Sequence, residues 1–406
     1  MTTRFVLRGD VVTPTRLVSD AALVIEDGRV LEVLGAVPSL GGEDVRWMNG
    51  LIAPGFIDLH SDAIERELRP RPSALVPLDL ALTEFDRKLA GHGITTMFHA
   101  VTFAEEEGAR FHRESAGVVE AIRGADDLLI RHRVHARYEL TDLEAAPTVE
   151  RLLAGGDVDL LSFADHSPGE RQYKDTAAFV DYFTRAYGIA GDRVEAVAER
   201  KLRRKTTERE RIQSTVEALA GLARRVRVPL ASHDDDSAEQ VAWAAKLGVS
   251  ISEFPVNLEA LRAAGAAGLH TVLGAPNIVR GRSTAQNLSA LTALTRGGLD
   301  SLCSDYYPAS LLHAAMKLYR EDHCSLASAL ALTSRHPARA VGLEHLLGSL
   351  EPGKVADIVV IGARGAVPVV TRTFREGREI WSCGYPRGVA VASPGPDRRR
   401  LAVTKS

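Results

Sequence analysis

Leu51-Ile52-Ala53-Pro54-Gly55-Phe56-Ile57-Asp58-Leu59-His60-Ser61-Asp62 is an apolar, strand-like run that ends in an H-x-D pair. In a β-strand residues i and i+2 share a face, so His60 and Asp62 project together from its end. An imidazole and a carboxylate preset in this way suit a divalent metal ion. The same pair also fits a loop in which the histidine is hydrogen-bonded and the aspartate caps a helix. Other strand ends must therefore supply further ligands before a metal site is read here.

Composition narrows the field. With 406 residues, 45% of them hydrophobic, the chain can bury one large domain and a smaller companion. A formal net charge of -3 argues against a general nucleic-acid binder. Cys303, Cys324 and Cys383 are too few and too scattered for a disulfide framework or a cysteine zinc site. No run of about 18 uninterrupted apolar residues marks a membrane span, and residues 1–8 lack the apolar core of a leader. A cytoplasmic protein with a small-molecule substrate, and with neither nucleic acid nor membrane as partner, is expected. A homo-oligomer is left open.

Outward from the opening run, residues 1–54 read as short strands and turns, and residues 348–406 have the same texture. Together they predict a small β-sandwich built from both termini. Between them, β-type runs alternate with helical stretches, the signature of parallel βαβ units. Eight candidate strands, at 55–60, 94–101, 134–140, 158–164, 228–232, 249–254, 270–274 and 299–304, predict an α/β fold with a (β/α)8 barrel over 55–347. The interval 167–227 is too long for a simple crossover and is expected to cap the mouth. Within it, the basic run from Arg200 to Arg211 is interspersed with Glu199, Glu208 and Glu210. It reads as a solvated helix face with no site role.

A barrel builds its site from strand tips, and metal-type residues recur there. Glu139 ends the third candidate strand, His166 follows the fourth, His233 the fifth and Asp305 the eighth. With His60 and Asp62 they make three imidazoles and three carboxylates, enough for one or two divalent ions. Zinc comes first, with manganese or iron also served by these donors. Glu139 could bridge two ions about 3.5 to 4 Å apart, and Asp305 fits a ligand that also takes a proton as general base. Arg69, Arg71, Arg137, Arg171, Lys174 and Arg280, with Asn277, fall just beyond strand tips or in adjoining loops. They are the expected substrate contacts if the substrate carries phosphate.

Pro54-Gly55-Phe56-Ile57-Asp58-Leu59-His60 resembles the first barrel strand of the amidohydrolase superfamily, which implies a metal-bearing (β/α)8 barrel. Leu350-Glu351-Pro352-Gly353-Lys354-Val355-Ala356-Asp357 is similar to the strand by which that family returns to its small domain. Further segments narrow the resemblance: Arg137-Tyr138-Glu139-Leu140, Asp165-His166-Ser167-Pro168-Gly169-Glu170, Ser232-His233-Asp234-Asp235, Glu253-Phe254-Pro255, Gly274-Ala275-Pro276-Asn277-Ile278-Val279-Arg280-Gly281 and Ser304-Asp305-Tyr306-Tyr307-Pro308. These resemble the branch serving the carbon-phosphorus lyase pathway, which implies hydrolysis of a ribose 1-phosphonate 5-triphosphate to the 5-phosphate and diphosphate. Two departures fall near the inferred mouth. Ala63 stands where that branch commonly has asparagine, and Arg282-Ser283-Thr284-Ala285-Gln286-Asn287 stands in place of G-S-H-S-G-N. The alternative expectation is a C-N hydrolase or deaminase acting on a cyclic amide or amidine. A more remote one is a catalytically silent barrel used in assembly.

Overall fold

The computed structural model describes residues 3–35, 44–71, 74–104, 112–169, 175–187, 191–283, 287–385 and 390–391. Four strands come first: β1 (Arg4–Val12), β2 (Leu17–Glu26), β3 (Arg29–Leu34) and β4 (Val45–Pro54). Three from the other end, β13 (Ile358–Arg364), β14 (Val367–Arg375) and β15 (Arg378–Ser382), join them in the order β15-β14-β13-β4-β1-β2-β3. The expected association of the two termini is thus one continuous hydrogen-bonded sheet. Leu7, Leu23, Ile25, Ile358 and Phe374 form part of its own apolar cluster.

The barrel comprises β5 (Phe56–Ser61), β6 (Ile94–Phe103), β7 (Arg131–Glu139), β8 (Leu160–Ala164), β9 (Leu230–His233), β10 (Ile251–Glu253), β11 (His270–Gly274) and β12 (Ser301–Cys303). They pair in sequence order, and every pairing is parallel. Each observed strand overlaps one of the eight expected runs. The strands are readable because they are buried on both faces, so apolar and β-branched residues run continuously. β6, Ile-Thr-Thr-Met-Phe-His-Ala-Val-Thr-Phe, is buried throughout its length.

Closure between the first and last strands is made by few backbone bonds and several side chains. Asp305 N donates to His60 O and Asp62 N donates to Asp305 O, both at 3.0 Å. Asp58 Oδ1 accepts from Ser304 N at 2.9 Å, and Ser61 Oγ donates to Asp305 O at 2.8 Å. The seam therefore fixes Asp305 beside His60. Nearby, a Cβ added at Gly55 would lie 2.5 Å from the Thr95 side chain, so only glycine lets β5 approach β6 this closely.

The helices that follow the strands are α1 (Ala63–Leu68) and α2 (Leu78–Gly91), α3 (His112–Gly124) and α4 (Ala146–Gly155). Three more lie between β8 and β9: α5 (Thr176–Tyr187), α6 (Gly191–Thr207) and α7 (Arg209–Arg225). The circuit continues with α8 (Ala238–Lys246), α9 (Leu258–Ala266), α10 (Ala275–Arg280), α11 (Ala290–Thr295) and α12 (Ser310–Arg320). α7 packs its Val216, Leu219 and Ala223 into the main core. α5 and α6 make a small apolar cluster of their own around Phe179, Val194 and Ala198.

Candidate metal centre at the barrel mouth

Inside the barrel an apolar layer lies below a polar one. Ala231, Ile251 and Cys303 belong to an apolar cluster that includes Leu160 and Val272. Two residues on, and so on the same strand face, come His233 and Glu253, while Asp305 follows two residues past Cys303, beyond the end of β12. On β7 the same alternation puts His135, Arg137 and Glu139 in one row, all buried. Asp234 and Phe254, directly after their strands, and Asp305, two residues past β12, hold left-handed φ values of 57°, 53° and 59°. For a bulky residue such as Phe254 this backbone is strained, and strain of this kind gathers at functional sites.

Glu253 is fully buried and organises the floor. His60 Nδ1 lies 3.2 Å from its Oε1 and His233 Nδ1 lies 3.3 Å from its Oε2. An ionised carboxylate only accepts, so each Nδ1 carries the hydrogen and each Nε2 keeps its lone pair. The two rings stack at 5.2 Å, with Phe254 edge-on to both. His135 Nε2 lies 3.7 Å from Glu253 Oε2, while its Nδ1 is 3.0 Å from Leu59 O. Burial drives the His135 pKa down to about 4, so it is neutral and able to donate a lone pair. Burial likewise holds His233 well below its ordinary value, despite the attraction of Glu253.

A second group converges beside the first. His166 Nε2 and His233 Nε2 lie 3.9 and 3.6 Å from Asp234 Oδ2. His60, His135 and Glu253 form one set of donor atoms within 4.8 Å of one another, and His166, His233 and Asp234 form another. Neutral imidazole nitrogens with carboxylate oxygens are the donors that divalent transition ions prefer. The surrounding charge also fits. Asp58, Asp235 and Asp305 are buried around the two sets, carboxylate that bound divalent ions would offset.

Asp62 sits just past β5 at the N-cap position of α1, without a side-chain capping bond. Its charge acts on Asp305. Burial first, then Asp62, Asp234 and Asp58 push the Asp305 carboxyl up to about 7, with Arg137 opposing them. Burial also raises Asp58 to about 7, against the hydrogen bonds from Ser304 and the His60 amide.

Glu139 clasps His166. Its Oε2 is 2.8 Å from His166 Nδ1, and its Oε1 accepts from His166 N at 3.1 Å. Lys201 Nζ approaches the same Oε1 at 3.1 Å. Burial alone would raise the Glu139 carboxyl, but Lys201 and His166 outweigh it and hold it well below the ordinary carboxylate range. The expected bridging carboxylate is thus engaged, in this arrangement, in orienting a histidine.

The basic run is corrected by these contacts. Lys201 of α6 is buried on Glu139 rather than solvated, and Lys205 Nζ pairs with buried Asp165 at 2.7 Å. Arg204 reaches Thr141 O and Glu144 Oε1, both at 3.3 Å. Positions 201, 204 and 205 share a helix face, and that face lies on the mouth. Lys201→Met should leave a barrel of unchanged circular dichroism while α6 amides exchange about tenfold faster or more, because a buried ion pair is lost. Unchanged exchange in α6, read by mass spectrometry, would refute this anchoring.

The expected substrate cations are dispersed. Arg137 is buried, and its Nε and Nη2 donate to Thr102 Oγ1 at 3.2 and 2.6 Å. Arg69 pairs with Glu114 at 2.7 Å, and Arg71 is exposed. Arg280 Nη1 donates to Tyr306 Oη at 3.3 Å, while Asn277 Oδ1 accepts from Ala290 N at the same distance. Arg171 and Lys174 lie outside the described residues.

The chain matches the model of the Amidohydrolase family over residues 51–380. It belongs to this family. As a hydrolase of the amidohydrolase superfamily, it is 32% identical over 338 residues to the alpha-D-ribose 1-methylphosphonate 5-triphosphate diphosphatase of Escherichia coli (strain K12). That alignment covers 82% of this chain and 88% of the relative. Among solved structures, an adenosine deaminase from Xanthomonas campestris with bound zinc superposes with a TM-score of 0.59 at 16% identity, covering 93% of this chain and 92% of that one. A Xaa-Pro dipeptidase with methionine bound in its active site gives 0.62 at 15% identity, covering 94% and 100%. At such identities the shared property is the amidohydrolase fold. Among the described residues, no helix is long and apolar enough to cross a membrane.

Proposed function

We propose that this amidohydrolase is a metal-dependent phosphoanhydride hydrolase that cleaves a ribose 5-triphosphate carrying a 1-phosphonate, releasing diphosphate and leaving the 5-phosphate. The observation that carries the reading is the adjacency of the two donor sets, with His60 and His233 both seated on Glu253. The substrate is taken from the Escherichia coli relative and from the segments that resemble its branch. Zinc is the proposed ion, with manganese or iron as substitutes, and a cytoplasmic location is proposed with it. The proposed division of labour places the barrel at 55–347, the capping segment at 167–227 within it, and the small terminal unit at 1–54 and 348–406.

His60, His166, His233 and Asp234 would hold one or two divalent ions, joined by Asp62 and Asp305, with Glu253 behind two of the rings. A bound divalent ion polarises a phosphoryl oxygen and makes water acidic enough to attack near neutral pH. The protein's own groups do the rest. Asp305, fixed beside His60 by the seam, takes the proton from the attacking water on its carboxylate. Glu253 and Glu139 fix the tautomers of three imidazoles, which keeps each ring's Nε2 as the donor. Arg137, buried beside them, offsets the carboxylates and supplies positive charge where phosphate charge develops. Lys201 closes the mouth through Glu139.

The test is a product assay. Protein loaded with zinc or manganese is expected to release diphosphate from a ribose 5-triphosphate derivative, with the 5-phosphate seen by phosphorus NMR. Absence of diphosphate together with turnover of a cyclic amide or amidine would replace this reading by the C-N hydrolase alternative.

A further inference from the structure

Away from the mouth, and sharing no residue with it, a cavity of about 500 Å³ opens between α2, α12, β14 and the end of β15. That volume lies in the range of small-molecule sites, which favour junctions between structural units. Here the junction is between the barrel helices and the terminal sheet. One wall is Trp381, whose indole is set against the backbone of α2: a Cβ added at Gly91 would lie 3.2 Å from the ring. The ring is therefore fixed before any ligand arrives. Leu312, Val370 and Tyr385 continue the apolar and aromatic lining.

The rim has a different character. Arg87, Lys88, His92 and His313 face the cavity with one carboxylate, Glu84. Glu84 pairs with Arg87 at 3.0 Å, and Lys88 pairs with Glu67 at 2.7 Å. The charge of the rim is then decided by the two imidazoles. Burial, with His313 and Lys88 beside His92 and Arg320 beside His313, discourages their protonation, and the opposite charge of a bound anion would work against this.

We propose that this cavity is a second small-molecule site, separate from the hydrolytic centre, which takes a ligand with an aromatic body and one negative charge. The body lies along Trp381 and Tyr385, where stacking and burial provide the attraction. The anionic group faces His92 and His313 and accepts their N–H donors. Neither half of the lining explains the other: an apolar ligand would leave the imidazole rim without a function, and a small inorganic anion would leave the aromatic wall unused.

Two matched probes test this on the intact chain. 8-Anilinonaphthalene-1-sulfonate combines an aromatic body with a sulfonate, and N-phenyl-1-naphthylamine has the same body without the charge. The sulfonate is expected to bind one molecule per chain and at least about tenfold more tightly than the neutral compound. Trp381→Leu, and separately the pair His92→Gln and His313→Gln, should each weaken it about tenfold or more, with hydrolysis at the mouth unchanged. Bound sulfonate should also slow alkylation of Cys383, which lines the same cavity, by iodoacetamide. Equal affinity for both probes, unaltered binding in both variants, or no protection of Cys383 overturns the proposal. So does a stable dimer that takes up no probe, which would make the cavity an interface between copies. Should Trp381→Leu fail to fold, the histidine pair decides.

Discussion

Glu253→Gln should lower the affinity for zinc or manganese by about 10- to 100-fold, the usual cost of losing a carboxylate behind a ligating histidine. The effect is doubled in kind, because one carboxylate serves two rings. An amide offers a single acceptor oxygen, so either His60 or His233 would face an NH2 group and turn its tautomer or its plane. With fewer correctly presented Nε2 atoms, hydrolysis should fall by about a hundredfold or more at subsaturating ion. The change is nearly isosteric, and the backbone bond from Asp234 N to Glu253 O at 2.9 Å survives it. Chelator competition on folded protein reads the result. Wild-type affinity in this variant would remove Glu253 from the centre.

Asp305→Asn should lower kcat by about 10²- to 10⁴-fold, the range of a lost general base, with the barrel intact. Asparagine is the informative replacement. It tolerates the left-handed backbone at φ 59° and leaves untouched the main-chain bonds to His60 and Asp62. It keeps an oxygen at the same place while losing the capacity to take a proton. Full activity would refute the assigned role. Loss of activity with collapse of the thermal transition would instead mark the residue as structural.

The barrel was legible because its strands are buried on both faces and so announce themselves as apolar runs. His60, His166, His233 and Asp305 were legible because each follows such a run, and the structure places them around one mouth. Glu253 and Asp234 were visible only as letters in Glu253-Phe254-Pro255 and Ser232-His233-Asp234-Asp235. β10 is three residues long, too short for alternation to show which way a side chain faces. His135 was hidden for another reason: it lies a full step below the tip of β7, where the row of positions 135, 137 and 139 signals it only once the strand's inner face is known. The cations on α6 were misread because charge spacing along a helix gives a face but not its neighbour. Lys201 and Glu139 meet through tertiary packing alone. The same limit applies to Arg69 and Arg280, whose partners Glu114 and Tyr306 come from distant segments.

The seam between β5 and β12 bears on how the protein is made. The bond from Ser61 to Asp305 spans 244 positions, and that from Ser304 to Asp58 spans 246. During synthesis His60 leaves the ribosome early and must wait, unpaired on that side, until most of the chain has followed. Contacts of such separation form late and slowly. The corner where Asp305 meets His60 is therefore assembled in the last act of folding, and a chain cut before β12 would have an open barrel and would lack Asp305, the proposed general base. With Asp305 in its proposed role, catalytic competence and completion of the fold become one event, and partly folded molecules would be silent as enzymes.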